Sequence, residues 1–445
     1  MQEEQLSVGY ARADITPSES VPLRGFGNTS QRMSRRVLDP LYATCIAFTD
    51  AEGETALVFA LDLISATSQW VTHFRPAVSS ATGIPEDHIF ASGTHTHSGP
   101  DYDNKEKPSI ARWADEVTPF FAEAAVNALK DRRPARMFTA AVQTQGLNFV
   151  RRYILEDGTA AGENYGHFDR SPIARHESEP DRSMQLVKFV REGAPDILLA
   201  NFQVHPVRTG GLTVYDISAD LPGVMRAVLE KKLGCRFAYF TGGAGNINPF
   251  SRIPDENIWN DHLSHGNAMA QAALSVMQDF KPAKTDKVRT VWNYVQQPVN
   301  HTQDHLVQEA IRIWMGFVRS NDPETWARKA NEIGLNSVYH AGLVINKSRL
   351  PATVKVPLCA LSIGDVGFAF APYEMFDTNG MQIKAGSPFP MTFVLSCSNT
   401  ANFAYIPSAL GAKNGGYSSD MCWFLPGTGE QFADTLIECL KEVYG

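Results

Sequence analysis

Short runs in which almost every position is apolar alternate along this chain with longer stretches in which apolar residues recur every three to four positions. The runs YATCIAFTD (42–50), TALVFALDL (55–63), HIFASG (88–93), DILLANFQV (196–204) and RFAYFTGG (236–243) are rich in β-branched and aromatic residues and predict strands. Amphipathic stretches at 110–130, 220–233, 258–279, 303–333 and 427–443 predict helices. Strands and helices in alternation predict an α/β fold in which flanking helices cover β-sheets that are mixed or largely parallel. After the long helical stretch, VRTVWNYVQQPV (288–299), ATVKVPLCALSIGD (352–365) and VGFAFAPYE (366–374) predict a second sheet. The segment 151–185, crowded with Gly, Asp, Arg and His, reads as a long irregular loop, and such loops are often functional. No internal repeat or low-complexity linker interrupts the pattern, so residues 1–445 read as one large domain, with a sub-lobe boundary allowed near 285.

Composition narrows the function classes. With 445 residues, 43% of them hydrophobic, the chain can bury a substantial core. The formal net charge is −8 and the basic residues are scattered among acids, which argues against nucleic acid as a partner. No apolar run is long enough to span a bilayer. The opening MQEEQLSVGYARADITP has neither a basic nor an apolar leader region, so the expected compartment stays open: secreted or periplasmic if a leader was removed, cytoplasmic otherwise. Oligomeric state is not legible. The six cysteines form no CxxC pair, and Cys45, Cys359 and Cys397 lie in apolar runs; buried reduced thiols are the expectation.

Ligands of open α/β sheets gather where strands end, so polar residues just after the apolar runs carry the candidate chemistry. His95 and His97 follow the run 88–93, and strict alternation along an extended chain would send their imidazoles to opposite sides. One is then expected as a metal ligand and the other as an acid, base or substrate contact; two surface histidines are the plain alternative. His205 ends the run 196–204 in front of Pro206, placed to bind a metal or to be a satisfied buried histidine. The turn FTGGAGNINPF could present backbone N–H groups to an anion or simply be a structural turn. Glu374 directly follows an apolar run and could complete a metal site or open a helix. Tyr405 and Tyr417 flank a loop rich in Pro and Gly, where a tyrosine is ordinarily a packing residue.

In order along the chain, YARADITP with RGFGN, GTHTHSGP, FQVHP with DISADLPG, GGAGNINP, APYE, and NFAYIPS followed by GGY resemble the neutral, non-lysosomal ceramidase family over nearly the whole length. The resemblance implies a catalytic domain that holds Zn²⁺ with His95, His205, Glu374 and Tyr405 and cleaves an amide bond by attack of zinc-bound water. It also implies that His97, Tyr417 and one of the adjacent Arg151 and Arg152, with Arg151 preferred, meet the polar head of a small or lipid-like N-acyl substrate. Where the family has a GDVSPN-like turn with a serine beside the zinc, this chain has Asn248 in the catalytic region, and an amide cannot be a nucleophile. Family ceramidases also continue into an immunoglobulin-like C-terminal domain, whereas this sequence stops at Gly445. The expected substrate is therefore N-acylsphingosine or a related N-acyl compound, with a non-sphingolipid ester, a small N-acyl amide or a non-catalytic zinc-binding role as alternatives.

Overall fold

The computed structural model describes residues 6–26, 32–66, 69–103, 106–162, 172–285, 287–320, 322–399 and 404–444. Two sheets face each other, and helices cover their outer faces. The large sheet comprises β1 (Ser7–Asp14), β2 (Tyr42–Thr49), β3 (Thr55–Leu61), β4 (Ile89–Gly93), β5 (Arg133–Gln143), β6 (Ser183–Arg191), β7 (Ile197–Phe202) and β8 (Arg236–Thr241). Their spatial order is β8-β7-β6-β5-β1-β2-β3-β4, and the short strand Lys281–Ala283 also pairs with β5. The second sheet runs β9 (Val288–Pro298), β10 (Thr353–Ile363), β11 (Val366–Phe370), β12 (Met391–Leu395) in that order.

The sheets are mixed, and antiparallel pairs outnumber parallel ones. Only β3 with β4, β7 with β8, and β11 with β12 run parallel among these twelve strands. Of the two arrangements the sequence allowed, the mixed one is therefore correct. The near-continuous apolar runs arise because both faces of these strands are covered. In β2, Ile46 and Phe48 point to the other sheet, in one cluster with Phe368, Phe370 and Phe393. Cys45 and Ala47, one step out of phase, pack with Trp113 and Phe121 of the helix Pro108–Lys130. The inter-sheet cluster joins residues from both sides of position 285.

Three expectations need correction. The segment 151–185 is not one irregular loop: Tyr153–Leu155, Ala160–Ala161 and Ile173–His176 form a small three-stranded sheet, and β6 begins at Ser183, although 163–171 lies outside the described residues. The helix expected over 303–333 is two, Val307–Ser320 and Pro323–Glu332. Asp322 caps the second by accepting from the Thr325 N–H at 3.1 Å, and Pro323 has no N–H with which to continue the first. Strands β1, β5 and β6 carry alternating polar residues and were not anticipated.

The parallel pairs matter for function because they bring strand ends together. The C-terminal ends of β4, β7, β8, β11 and β12 meet at one end of the sandwich, where polar contacts lace the sheets. Asn201 at the end of β7 donates to Phe240 O and Val394 O at 3.0 and 2.9 Å, and Thr241 Oγ1 donates to Thr94 O at 2.7 Å. The five candidate segments leave from this end.

Candidate metal centre

Each side chain of the candidate site is aimed by the backbone just beyond a strand. Beyond β4, His95 takes φ +68°, a left-handed conformation that costs a residue with a Cβ about 1–3 kcal/mol. Tyr373 after β11 and Cys397 after β12 do the same, at φ +67° and +57°. Strain repeated at three neighbouring strand ends reorients the residues that follow.

The turn at His95 overturns the expectation of opposed imidazoles. Alternation holds only for extended backbone, and with His95 left-handed both rings enter the same space: His95 Nε2 and His97 Nε2 are 3.3 Å apart. His205 joins them, and the three imidazoles place their donor atoms within 4.8 Å of one another, all buried. Glu374 closes the group, its Oε2 lying 2.9 Å from His205 Nε2 and 3.4 Å from His95 Nε2. The short strand Glu374–Met375 runs parallel to Tyr405–Ile406 with Glu374 opposite Tyr405, which brings the phenol beside the carboxylate.

Whether this pocket suits a cation follows from its hydrogen bonds. His95 Nδ1 is 2.7 Å from Ile64 O and His205 Nδ1 is 2.9 Å from Ile247 O. A carbonyl only accepts, so each Nδ1 carries the proton, and a neutral ring then turns the lone pair of Nε2 toward the Glu374 carboxylate. Lone pairs facing lone pairs in a buried site require a positive charge between them. A tetrahedral zinc with bonds of about 2.0–2.1 Å holds its donors about 3.3 Å apart, close to the separations seen here. The residues present therefore fit a divalent metal.

The electrostatics agree. Burial pushes the Glu374 carboxyl up, but the His95 and His205 imidazoles outweigh it and hold it well below the usual carboxylate range. Burial pushes His205 down to about 4 and His97 well below its ordinary value, so both rings are neutral. Burial also pushes His95 down, yet Cys397 and Glu374 overcome this and raise it. One positive charge beside Glu374 is what the site favours, carried either by His95 or by a metal with all three rings neutral. Burial first, and Glu374 second, raise the Tyr405 phenol well above its usual range.

The remaining predicted residues border this group. Arg151 follows the short strand Phe149–Val150, which pairs with Ile247–Asn248, and its Nη2 donates to Gly245 O at 2.7 Å and to Tyr405 OH at 3.1 Å. Its Nη1 lies 3.5 Å from Asn248 Oδ1, so Asn248 faces the arginine. The Tyr417 ring meets that of Tyr405 edge to face at 5.6 Å. Arg152 points elsewhere: it clasps Glu177 through Nε and Nη2 at 2.8 and 3.2 Å and donates to Gly411 O and Gly415 O. Of the adjacent pair, Arg151 is the side chain that reaches the cluster.

The glycine-rich turn braces the strand that carries Glu374. Gly245 N donates to Met375 O at 2.8 Å, and a Cβ on Gly245 would sit 2.5 Å from Glu374 O, so only glycine lets this turn brace the strand that carries Glu374. Asn246 locks the same contact by exchanging hydrogen bonds of 2.7 and 2.9 Å with Asp377. Gly245→Ala is expected to lower stability by about 1–3 kcal/mol, as overpacking does. Urea midpoints measure it, and an unchanged midpoint would mean that the turn does not brace Glu374.

Sequence reading gave no role to Gly25 and Phe26, though both lie in the RGFGN run. Gly25 has φ +118°, and a Cβ there would meet His97 Cγ at 2.4 Å; Phe26 packs edge-on to the His97 ring at 5.3 Å. Arg32 donates to His97 O at 2.7 Å. Cys397 was read as a thiol within an apolar run but lies past β12, its Sγ 3.4 Å from His95 Nδ1. Nothing local in the sequence ties any of these residues to a histidine. All six cysteines are buried and free.

No family model matches the chain. In sequence it is 24% identical to neutral ceramidase B of Dictyostelium discoideum, over 57% of this chain and 36% of that protein, so it spans about a third of the length of this curated relative. In structure it superposes on neutral ceramidase from Pseudomonas aeruginosa with a TM-score of 0.72 at 15% identity, covering 100% of this chain and 75% of that one. A ceramidase structure described as complexed with C2 gives the same TM-score and identity over 98% of this chain and 75% of its own. In sequence over part of its length, and in fold from end to end, this chain is similar to the neutral ceramidases.

Proposed function

We propose that the chain is a zinc-dependent hydrolase that cleaves an amide bond in a ceramide-like N-acyl substrate. The observation that carries this reading is the pair of imidazoles whose Nδ1 protons are held by Ile64 O and Ile247 O while their Nε2 atoms face the Glu374 carboxylate. The names of the relatives supply the substrate class.

His95, His205 and Glu374 would hold the metal, with Tyr405 as the fourth protein donor. Bound zinc would supply a Lewis acid and lower the pKa of its water to about 7. His97 can donate through its N–H to an oxyanion growing on the substrate carbonyl, and Tyr405 can do so only as a protonated phenol that is not bound to the metal. His97, neutral and with its Nε2 already inside the cluster, can take the proton lost by the attacking water and deliver it to the leaving amine nitrogen. Arg151 and Tyr417 would hold the polar head, the planar guanidinium suiting carbonyl or hydroxyl oxygens. Asn248 keeps Arg151 in place and does no chemistry of its own.

One contact supports a second ligand set. His97 Nε2 lies only 3.3 Å from His95 Nε2, so His97 can replace Tyr405 at the metal. Zinc content decides between them: Tyr405→Phe loses the metal in the first case, His97→Ala in the second.

Chelation followed by dialysis should remove about one zinc per chain together with the activity, and added zinc should restore both. Full activity in metal-free protein would end the proposal. If the substrate is a long-chain ceramide, each methylene added to a series of N-acyl amines should improve kcat/KM by about fourfold, since about 0.8 kcal/mol accompanies each buried CH₂. A flat series points to a short amide or ester, and bound zinc without turnover of any amide or ester points to a binding protein.

A further inference from the structure

Tyr417 stands on a single helical turn, Tyr417–Asp420, entered through two consecutive glycines at positive φ, Gly415 at +65° and Gly416 at +94°. Glycine turns either way at little cost, and four residues are too few to sustain a helix in water, so nothing local aims the phenol. Contacts from distant parts of the chain aim it instead. Asp420, at the far end of the turn, accepts from Asn336 Nδ2 at 2.9 and 2.7 Å. The near end is held by Arg152.

The Arg152 guanidinium, buried beside Glu177, directs its donors at this loop. Nη2 donates to Gly411 O and Gly415 O at 3.0 and 2.7 Å, and Nη1 reaches Ser419 Oγ at 3.3 Å and Ser418 Oγ at 3.5 Å. Glu177, which accepts from Arg152 Nε at 2.8 Å, also accepts from Asn414 Nδ2 at 2.8 Å. One planar fork thus ties together the stretch 411–419, a geometry that the point charge of a lysine cannot copy. The neighbouring Arg151 donates to Tyr405 OH at 3.1 Å, and the Tyr405 and Tyr417 rings meet at 5.6 Å. Two adjacent arginines therefore set the two phenols relative to each other.

We propose that Arg152 is a positioning residue for substrate selection: by fixing the loop that carries Tyr417, it sets where that phenol meets the polar head of the substrate. The part played by Tyr417 rests on the proposed hydrolysis, whereas its placement by Arg152 does not. Arg152→Lys keeps a cation beside Glu177 and removes the fork. N-acetylsphingosine serves as substrate. Fluorotyrosine labelling with fluorine NMR reports on the Tyr417 ring without turnover, its signal assigned by its loss in Tyr417→Phe.

Arg152→Lys is expected to raise KM by about tenfold with a smaller change in kcat, and to shift or broaden the Tyr417 signal. In the Tyr417→Phe background the same substitution should change KM by less than about twofold, because its route to the substrate is already cut. Ser419→Ala frees the helical turn from one contact of the guanidinium while leaving the pair with Glu177, and it should move the same signal, so the test stands even if Arg152→Lys does not fold. An unmoved Tyr417 signal in either folded variant, or an equal rise in KM with and without the Tyr417 hydroxyl, overturns the proposal. An unaltered chain that turns over no N-acyl substrate ends the hydrolase reading, and the fluorine signal then decides the positioning by itself.

Discussion

His205→Ala is expected to purify without zinc and to hydrolyse its substrate about 10²–10⁴-fold more slowly than the unaltered chain, as losing several kcal/mol of charge stabilisation requires. His205 is fully buried and sits at the closest approach to Glu374, 2.9 Å. Truncation removes a donor and leaves the carboxylate with His95 as its remaining imidazole neighbour. Stability should fall by about 1–3 kcal/mol for the exposed acceptor, not enough to unfold a chain of this size. Metal analysis, circular dichroism and kinetics on one preparation separate these effects. A folded variant that keeps both zinc and full activity would remove His205 from the site.

The adjacent arginines should diverge when each is truncated. Arg152→Ala is expected to cost about 3–5 kcal/mol of stability, because it strands a buried carboxylate. The side chains of Arg152 and Glu177 are 1% and 6% exposed, and the guanidinium also satisfies Gly411 O and Gly415 O in the turn leading to Tyr417. Arg151→Ala loses contacts to Gly245 O and to Tyr405 OH instead. It should be milder in a urea melt and should act on KM more than on kcat, as loss of a substrate contact does. A larger stability loss for Arg151→Ala than for Arg152→Ala would reverse these roles.

Part of this contrast was open to the sequence and part was not. The Arg151–Arg152 dipeptide shows two guanidinium groups without saying where each points, and the sequence preference for Arg151 came from a family likeness. What distinguishes them is a partner 94 positions on for Arg151, Gly245, and a turn 259 to 263 positions on for Arg152. The histidine pair teaches the complementary lesson. Spacing correctly marked His95 and His97 as residues at a strand end, and the period-two rule then misjudged their direction, because it assumes extended φ where His95 has φ +68°. That left-handed turn is sustained by long-range contacts: His95 N donates to Leu63 O, and the neighbouring Gly93 N to Cys397 O.

By itself the sequence determined the class of fold, the strands buried on both faces, the strand ends where chemistry gathers and the types of side chain available there. These are properties of residues and short segments, set by hydrophobic pattern and backbone propensity. Only the tertiary structure decided that two imidazoles separated by one threonine share a pocket, and that a glycine turn braces Glu374. Each of these depends on which distant backbone comes near, and close approach of two chain segments is a product of packing both sheets and their helices at once.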